Sequence, residues 1–400
     1  MTTKTWDGGA TGNWNVSGNW SPSGVPATGD DVIINTSGCD VTLDVHIGGG
    51  QTNTGLGSLT ITAGTLDTND GSNRMLTVTG DAIIDGTLTG NASAISLGSL
   101  AVGGTYSATS GTTTITSERS NGRATDIVGT YNHNGGILKI QTPADTDLRW
   151  PSSSNCNHLI IDHASCIARP TGDNKPPIAG NLLINQGKFS LLDSDGSATH
   201  QCTVTGDVII GDGSGSANTA IFEGRDDSVT FGSLTIDSDG KYDATSGTTT
   251  LTSTSSNYSI NNAGTFTHNN GTVKIDFETP NFNSNSKIKL NQMYNLEIEM
   301  NRTTDMTLLE PESGTTLTVL NNVTVKKGVL TKNSHTHTLD FKGLTVVGVG
   351  GGSLAAHIDA STSGSATSNF GALTILTDGK YTQSTTTNVS SIRNVGGTIA

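Results

Sequence analysis

The chain has 400 residues, of which 32% are hydrophobic, 4% aromatic and 14% charged, with 51 glycines and a formal net charge of −14. Apolar content this low excludes one thick globular core, and an acidic chain without a Lys/Arg stripe is not expected to bind nucleic acid. Only 9 prolines and many alternating Thr/Val/Ile/Leu runs argue against disorder too, so the expectation is a thin fold in which every residue lies near a surface.

The first element is TWDGGATGNWNVSGNWSPSGVPATGDDVIIN, residues 5–35. Trp6, Trp14 and Trp20, with Pro22 and Pro26, precede the first clear strand at Val32. Indole rings can close the apolar end of a strand stack, and proline cannot donate to a further strand, so residues 1–30 read as a cap or attachment segment. No basic stretch followed by an apolar run opens the chain, and no run approaches the roughly 18 apolar residues of a membrane span. Neither signal-directed secretion nor membrane insertion is therefore expected from the residues given.

From Val32 onward the texture is uniform. Segments of four to six residues such as SLTIT, LTVT, TTTIT and LLIN alternate apolar residues with Thr or Ser, and Gly, Asn, Asp and Ser separate them. This is the period-2 pattern of half-buried strands punctuated by turns, with no helical stripe, so the whole chain reads as all-β. Above that texture lies a longer repeat. TVTGDAII at Thr77 returns as TVTGDVII at Thr203, GTYNHNGGILKI at Gly129 as GTFTHNNGTVKI at Gly264, and YSATSGTTTITS at Tyr106 as YDATSGTTTLTS at Tyr242. A third copy starts near Leu339 and breaks off at Ala400. The expected division is therefore 1–30 cap, 31–200 first super-repeat entered part-way, 201–338 second, and 339–400 an incomplete third.

A propeller would show recurring aromatic motifs every 40 to 50 residues, and an immunoglobulin-like array a tryptophan in each domain. Here all four tryptophans lie at or before Trp150. A parallel β-solenoid fits better, with Val, Ile and Leu inside, Thr, Ser and Asn outside, and Gly and Asn at corners. At roughly 20–25 residues per coil, the super-repeat amounts to about six coils. The twelve-residue twins then read as one wall of one coil, reused because stacked coils favour similar neighbours.

The leader pattern W-x-G-G, then N-W-S-P-x-G-x-P, then G-D-x-V-x-I resembles that of repeat-rich β-solenoid proteins found on bacterial surfaces and among structural proteins of bacteriophages, particularly marine ones. GTFTHNNGTVKI and NLLINQGKFSLL are similar to the repeats of the same grouping. The resemblance implies an architecture more than an activity. Many such surface proteins open with a signal peptide, and the lack of one here favours the phage side.

Candidate sites are few. The acidic turns DTNDGSN, DSDGS and DSDGK supply Asp67, Asp70, Asp193, Asp195, Asp237 and Asp239 as calcium candidates, but a distal glutamate is lacking and Asx turns explain the same residues. No other cofactor is expected. His335 and His337 share a strand face, and solvent-facing histidines explain them better than a metal site. His133 and His268 recur at matching corners. Among Cys39, Cys156, Cys166 and Cys202 only a Cys156–Cys166 bridge suggests itself, and Cys202, aligned with Leu76 and Leu339, reads as an interior residue. GRDD at Gly224 and the Glu310–Glu312 stretch are the densest acid groups, and neither has the aromatic company of a glycan-cleaving groove. No catalytic residue is assigned.

The expectation is a non-catalytic structural protein on the exterior of a phage particle, as fibre, spike or capsid decoration. Its partners would be other virion or surface proteins, further copies of itself as a trimer or end-to-end stack, and host surface glycans. A bacterial adhesin or extracellular filament is the alternative, and a polysaccharide-degrading tailspike the third reading.

Overall fold

A computed structural model describes residues 1–151, 154–171, 177–192, 201–277, 285–300, 302–312, 314, 316–332, 337–351, 353, 355–360, 367–383 and 386–400. Strands account for nearly all of its regular structure, and they pair in parallel as a β-solenoid. Close contacts divide the chain into two units, Met1–Cys202 and Thr203–Ala400. The boundary expected at 339 falls inside the strand Thr338–Val347.

In the first unit the coils are built on up to three walls. Wall A runs through Thr112–Ile115, Ile137–Ile140 and the first half of His158–Thr171. Wall B runs through Thr3–Trp6, Asp31–Ile34 and Ser58–Ile61, and on to Arg123–Ile127 and Asp145–Arg149. Wall C stacks Thr11–Asn13, Asp40–Thr42, Thr65–Asp67, Thr87–Thr89, Thr105–Ser107 and Thr130–Asn132. The second unit is wound in the same way.

Local sequence explains the walls. In Ser58–Ile61, Leu59 and Ile61 are wholly buried while Ser58 and Thr60 face outward, as strand alternation requires. Each buried Leu, Ile or Val contributes about 1.5–3 kcal/mol. Where two walls meet, successive coils lie so close that glycine is needed. A Cβ on Gly57 would stand 2.7 Å from the Gly29 carbonyl oxygen, and one on Gly86 would stand 2.6 Å from that of Gly64. Much of the glycine count therefore belongs to corner columns.

Register corrects two expectations. Coils are more variable than 20–25 residues, since Ile95 pairs with Thr113 but Val32 with Leu59 and Leu330 with Ile358. The super-repeat is also not six whole coils. GSLTIT at Gly57 matches GNLLIN at Gly180, yet Leu59 lies on wall B, whereas its counterpart Leu182 lies on wall A, reached through Leu159, Leu138, Thr113, Ile95 and Leu76. Following wall B from Leu59 by way of Ala82, Leu100, Thr125, Leu148 and Pro170 reaches the stretch of strand that holds Phe189 only after six turns, one wall beyond Leu182. In the second unit Val208 and its counterpart Thr345 likewise sit on different walls. Each copy thus covers about five and two-thirds turns, so matching strands do not share a wall.

The tryptophans close the first coil. Thr3–Trp6 pairs antiparallel with Trp20–Ser21 and parallel with Asp31–Ile34, so the cap's first strand already belongs to wall B. Trp6 and Trp14 each pack edge-on against Trp20, with centroids 5.2 and 4.7 Å away. Trp20 Nε1 donates to the Trp14 carbonyl at 2.8 Å, and Lys4 Nζ donates to the Pro22 carbonyl at 2.9 Å. The Pro26 carbonyl accepts from Asn53 Nδ2. All four cysteines are buried free thiols, so Cys156 and Cys166 form no bridge, and burial pushes the Cys156 thiol up to about 12.

Candidate functional site

Stacking sets the outward residues of successive coils in rows. On wall C, Thr65, Thr87, Thr105 and Thr130 stand one above another. Elsewhere the rows are charged and pair along the stack. Asp126 lies 3.1 Å from Arg123, 3.3 Å from Arg149 and 3.6 Å from Arg119. Burial alone would raise the Asp162 carboxyl, but its hydrogen bond with Lys139 helps hold it below the usual range. In the second unit Lys274 reaches Asp276 at 2.5 Å and Glu299 at 3.0 Å, and Lys326 reaches Glu297 at 2.7 Å. Half-exposed pairs of this kind contribute about 0–1 kcal/mol each. They favour one register over its neighbours more than they hold the fold together.

The twelve-residue twins are not one wall. In the first unit Thr105–Ser107 is on wall C and Thr112–Ile115 on wall A, so the motif turns a corner. Across that corner, inside the coil, Tyr106 Oη and Thr113 Oγ1 are 2.7 Å apart, and both residues are buried. Tyr242 and Thr249 repeat the bond at 2.7 Å, and Tyr381 and Thr387 make it at 2.9 Å. Burial raises the Tyr106 phenol far above its ordinary range, so it stays a neutral hydrogen-bonding group. The Tyr/Thr spacing of seven in the twins was the sequence signal for this brace.

The acidic turns divide by role. Asp67 Oδ1 accepts the Asn69 N–H at 2.8 Å and the Asn91 side-chain amide at 2.7 Å. Asp70 accepts the Ser72 N–H and holds Arg74 through two bonds, of 2.9 and 2.6 Å. These are Asx turns. Asp193 and Asp195 lie outside the described residues. Burial raises the Asp237 carboxyl, and Asp239 and Asp212 add to the effect. Asp239 itself, 1% exposed, accepts N–H groups from the glycine-rich loop before it, Gly213 at 2.9 Å and Gly215 at 3.3 Å. Asp378, which the sequence reading missed, repeats this with Val349 at 3.0 Å and Gly350 at 2.8 Å. Each carboxylate is the built-in anion of a backbone nest, using the lone pairs a cation would need. Among the described residues no three His, Cys, Asp or Glu side chains are placed to hold a metal.

His335 lies outside the described residues, and His337 has a buried Nδ1 without a partner among them. His133 and His268 are corner residues whose Nδ1 atoms accept the N–H two positions on, at 2.9 and 3.0 Å, and His268 stacks on Tyr294 with centroids 5.6 Å apart. In the two acid groups, Glu223 pairs with Arg225, Asp226 accepts from Ser246, Glu310 accepts from Tyr258 and Glu312 from Asn262. Cys202 is buried, as its alignment with Leu76 and Leu339 predicts.

Two concavities stand out. A corner groove of about 620 Å³ includes the stacked side chains of Asp340, Asn369 and Asn388. A pocket of about 580 Å³ lies beside the tryptophan cap, between Pro26 and the 44–53 loop. No protein family, no curated protein and no solved structure matches the chain.

Proposed function

We propose that the chain is a non-catalytic structural element on the exterior of a phage particle, a fibre, spike or decoration whose tryptophan cap is the attachment end. The observation that carries this reading is how the side chains are used. Inward groups fill or brace the coil, as Tyr106 with Thr113, and outward charges bind the next coil, as Lys274 with Glu299. Such walls present rows of hydroxyls and amides at fixed spacing, a surface suited to holding and displaying. The leader resembles that of β-solenoid proteins of phage particles and of bacterial surfaces alike, which supports a place on an exterior.

Electron cryomicroscopy of the native source particle tests this. Density for the coils joined to a capsid or tail through the Trp6–Trp20 region is expected. Coils rooted in a cell envelope, or free extracellular filaments, would replace the proposal with the adhesin or filament reading.

A further inference from the structure

The pocket beside the cap is built and held open by hydrogen bonds from backbone and side chains. Asn53 Nδ2 donates to the Pro26 carbonyl at 2.9 Å, the Thr54 N–H to Thr28 Oγ1 at 2.9 Å, and the Gly29 N–H to the Gly55 carbonyl at 2.9 Å, so its two rims are tied together. Its polar groups are fixed in orientation but not used up. His46 Nδ1 accepts the Met75 N–H at 3.0 Å, which leaves Nε2 to carry the proton. Arg74 spends Nε and Nη2 on Asp70 and keeps Nη1. Asp44 Oδ1 accepts the Asn15 N–H at 2.8 Å and keeps Oδ2, and the Gln51 carboxamide makes no hydrogen bond with the described residues. The wholly buried Trp14 also lines the pocket, and its indole N–H has no partner among the described residues.

Charge narrows the ligand. Asp70 already neutralises Arg74, and Asp44 adds a carboxylate, so an anion is disfavoured, while the unused donors of Arg74 Nη1, His46 Nε2 and the Gln51 amide call for acceptors, which a cation does not offer. What remains is a neutral molecule offering both donors and acceptors, with an apolar face for Val25, Pro26 and Val45. We propose that this pocket binds one neutral hexopyranose unit of a glycan through its hydroxyls. The inference does not depend on which particle or surface carries the chain.

The test uses the full chain and four probes, the methyl glycosides of glucose, galactose, mannose and N-acetylglucosamine, read by saturation-transfer NMR and tryptophan fluorescence. At least one should bind saturably. Gln51→Ala and Asp44→Asn should each weaken that affinity at least fivefold with unchanged far-UV circular dichroism, while Asp340→Asn, in the other concavity, should leave it unchanged. If Asp44→Asn does not fold, Gln51→Ala decides. Saturable binding by none of the four, or affinity indifferent to Gln51→Ala, would overturn the proposal.

Discussion

The corner before Tyr106 and the corner before Tyr381 carry the same motif and share a close-approach glycine two residues before the tyrosine, Gly104 and Gly379, but differ in what precedes it. In the first unit two glycines, Gly103 and Gly104, make the turn, and a Cβ on Gly104 would overlap the carbonyl oxygens of Asp85 and Gly86 in the coil below. In the second unit the turn contains Asp378, 1% exposed, whose carboxylate fills the nest formed by Val349 and Gly350. Both corners need a glycine where backbones touch, since a Cβ on Gly379 would overlap the Val347 carbonyl oxygen, and the second adds an anion that satisfies N–H groups a longer loop would leave unpaired. A solenoid corner thus rests on close approach, with an internal acceptor added where a longer loop must be satisfied.

The largest effect is expected from Gly104→Val, which forces a side chain into two carbonyls and should destabilise the first unit by about 3 kcal/mol. Urea unfolding with hydrogen exchange across 99–107 measures it, and a loss near zero would show that the close approach is not required. Asp378→Ala should cost about 2 kcal/mol by leaving the nest unsatisfied. Burial pushes the Asp378 carboxyl up, but the Val349 and Gly350 N–H groups outweigh it and hold it below its ordinary value of about 3.9. This stabilisation is therefore complete above about pH 4 and is lost as pH falls through the lowered value. Acid titration of hydrogen exchange in the 347–351 loop should show that loss in the native chain and not in Asp378→Ala.

The brace common to both corners should matter somewhat less. Tyr106→Phe and Thr113→Val should each cost about 1–2 kcal/mol, because each strands a buried hydroxyl, and the double substitution should cost less than their sum. An additive cycle would mean that the 2.7 Å contact carries no energy. The smallest expected effect is a gain. Lys332 is 3% exposed, faces inward where the first unit has the buried Leu191, and its Nζ has no partner among the described residues. Burial lowers its pKa by disfavouring the charged form, so stability rises with pH from the lowered value toward the unfolded value of about 10.4. Lys332→Leu should stabilise the second unit by about 1 kcal/mol at pH 7 and flatten that dependence. Thermal unfolding at pH 7 and pH 10 measures both changes.

Fold class was legible because alternation and turn residues are local properties: Ser58–Ile61 reads as a half-buried strand wherever it sits. The cap was legible for the same reason, since Trp6, Trp14 and Trp20 are close in sequence and have little else to cover. The uses of side chains across coils were not. Asp239 appears as a metal ligand in a turn until the 211–215 loop is brought onto it. The pocket's Asp44, Gln51 and Arg74 form no recognisable motif, because they meet only through stacking.

The sequence by itself determined strands, corners, an apolar interior and a repeat of more than a hundred residues, all of which depend on the order of neighbouring side chains. Only the tertiary structure decided which wall each strand occupies. That depends on the summed lengths of about six unequal coils, which vary because a corner can take two glycines or a longer loop around a buried aspartate. The repeat therefore closes on five and two-thirds turns, and matching strands meet different neighbours.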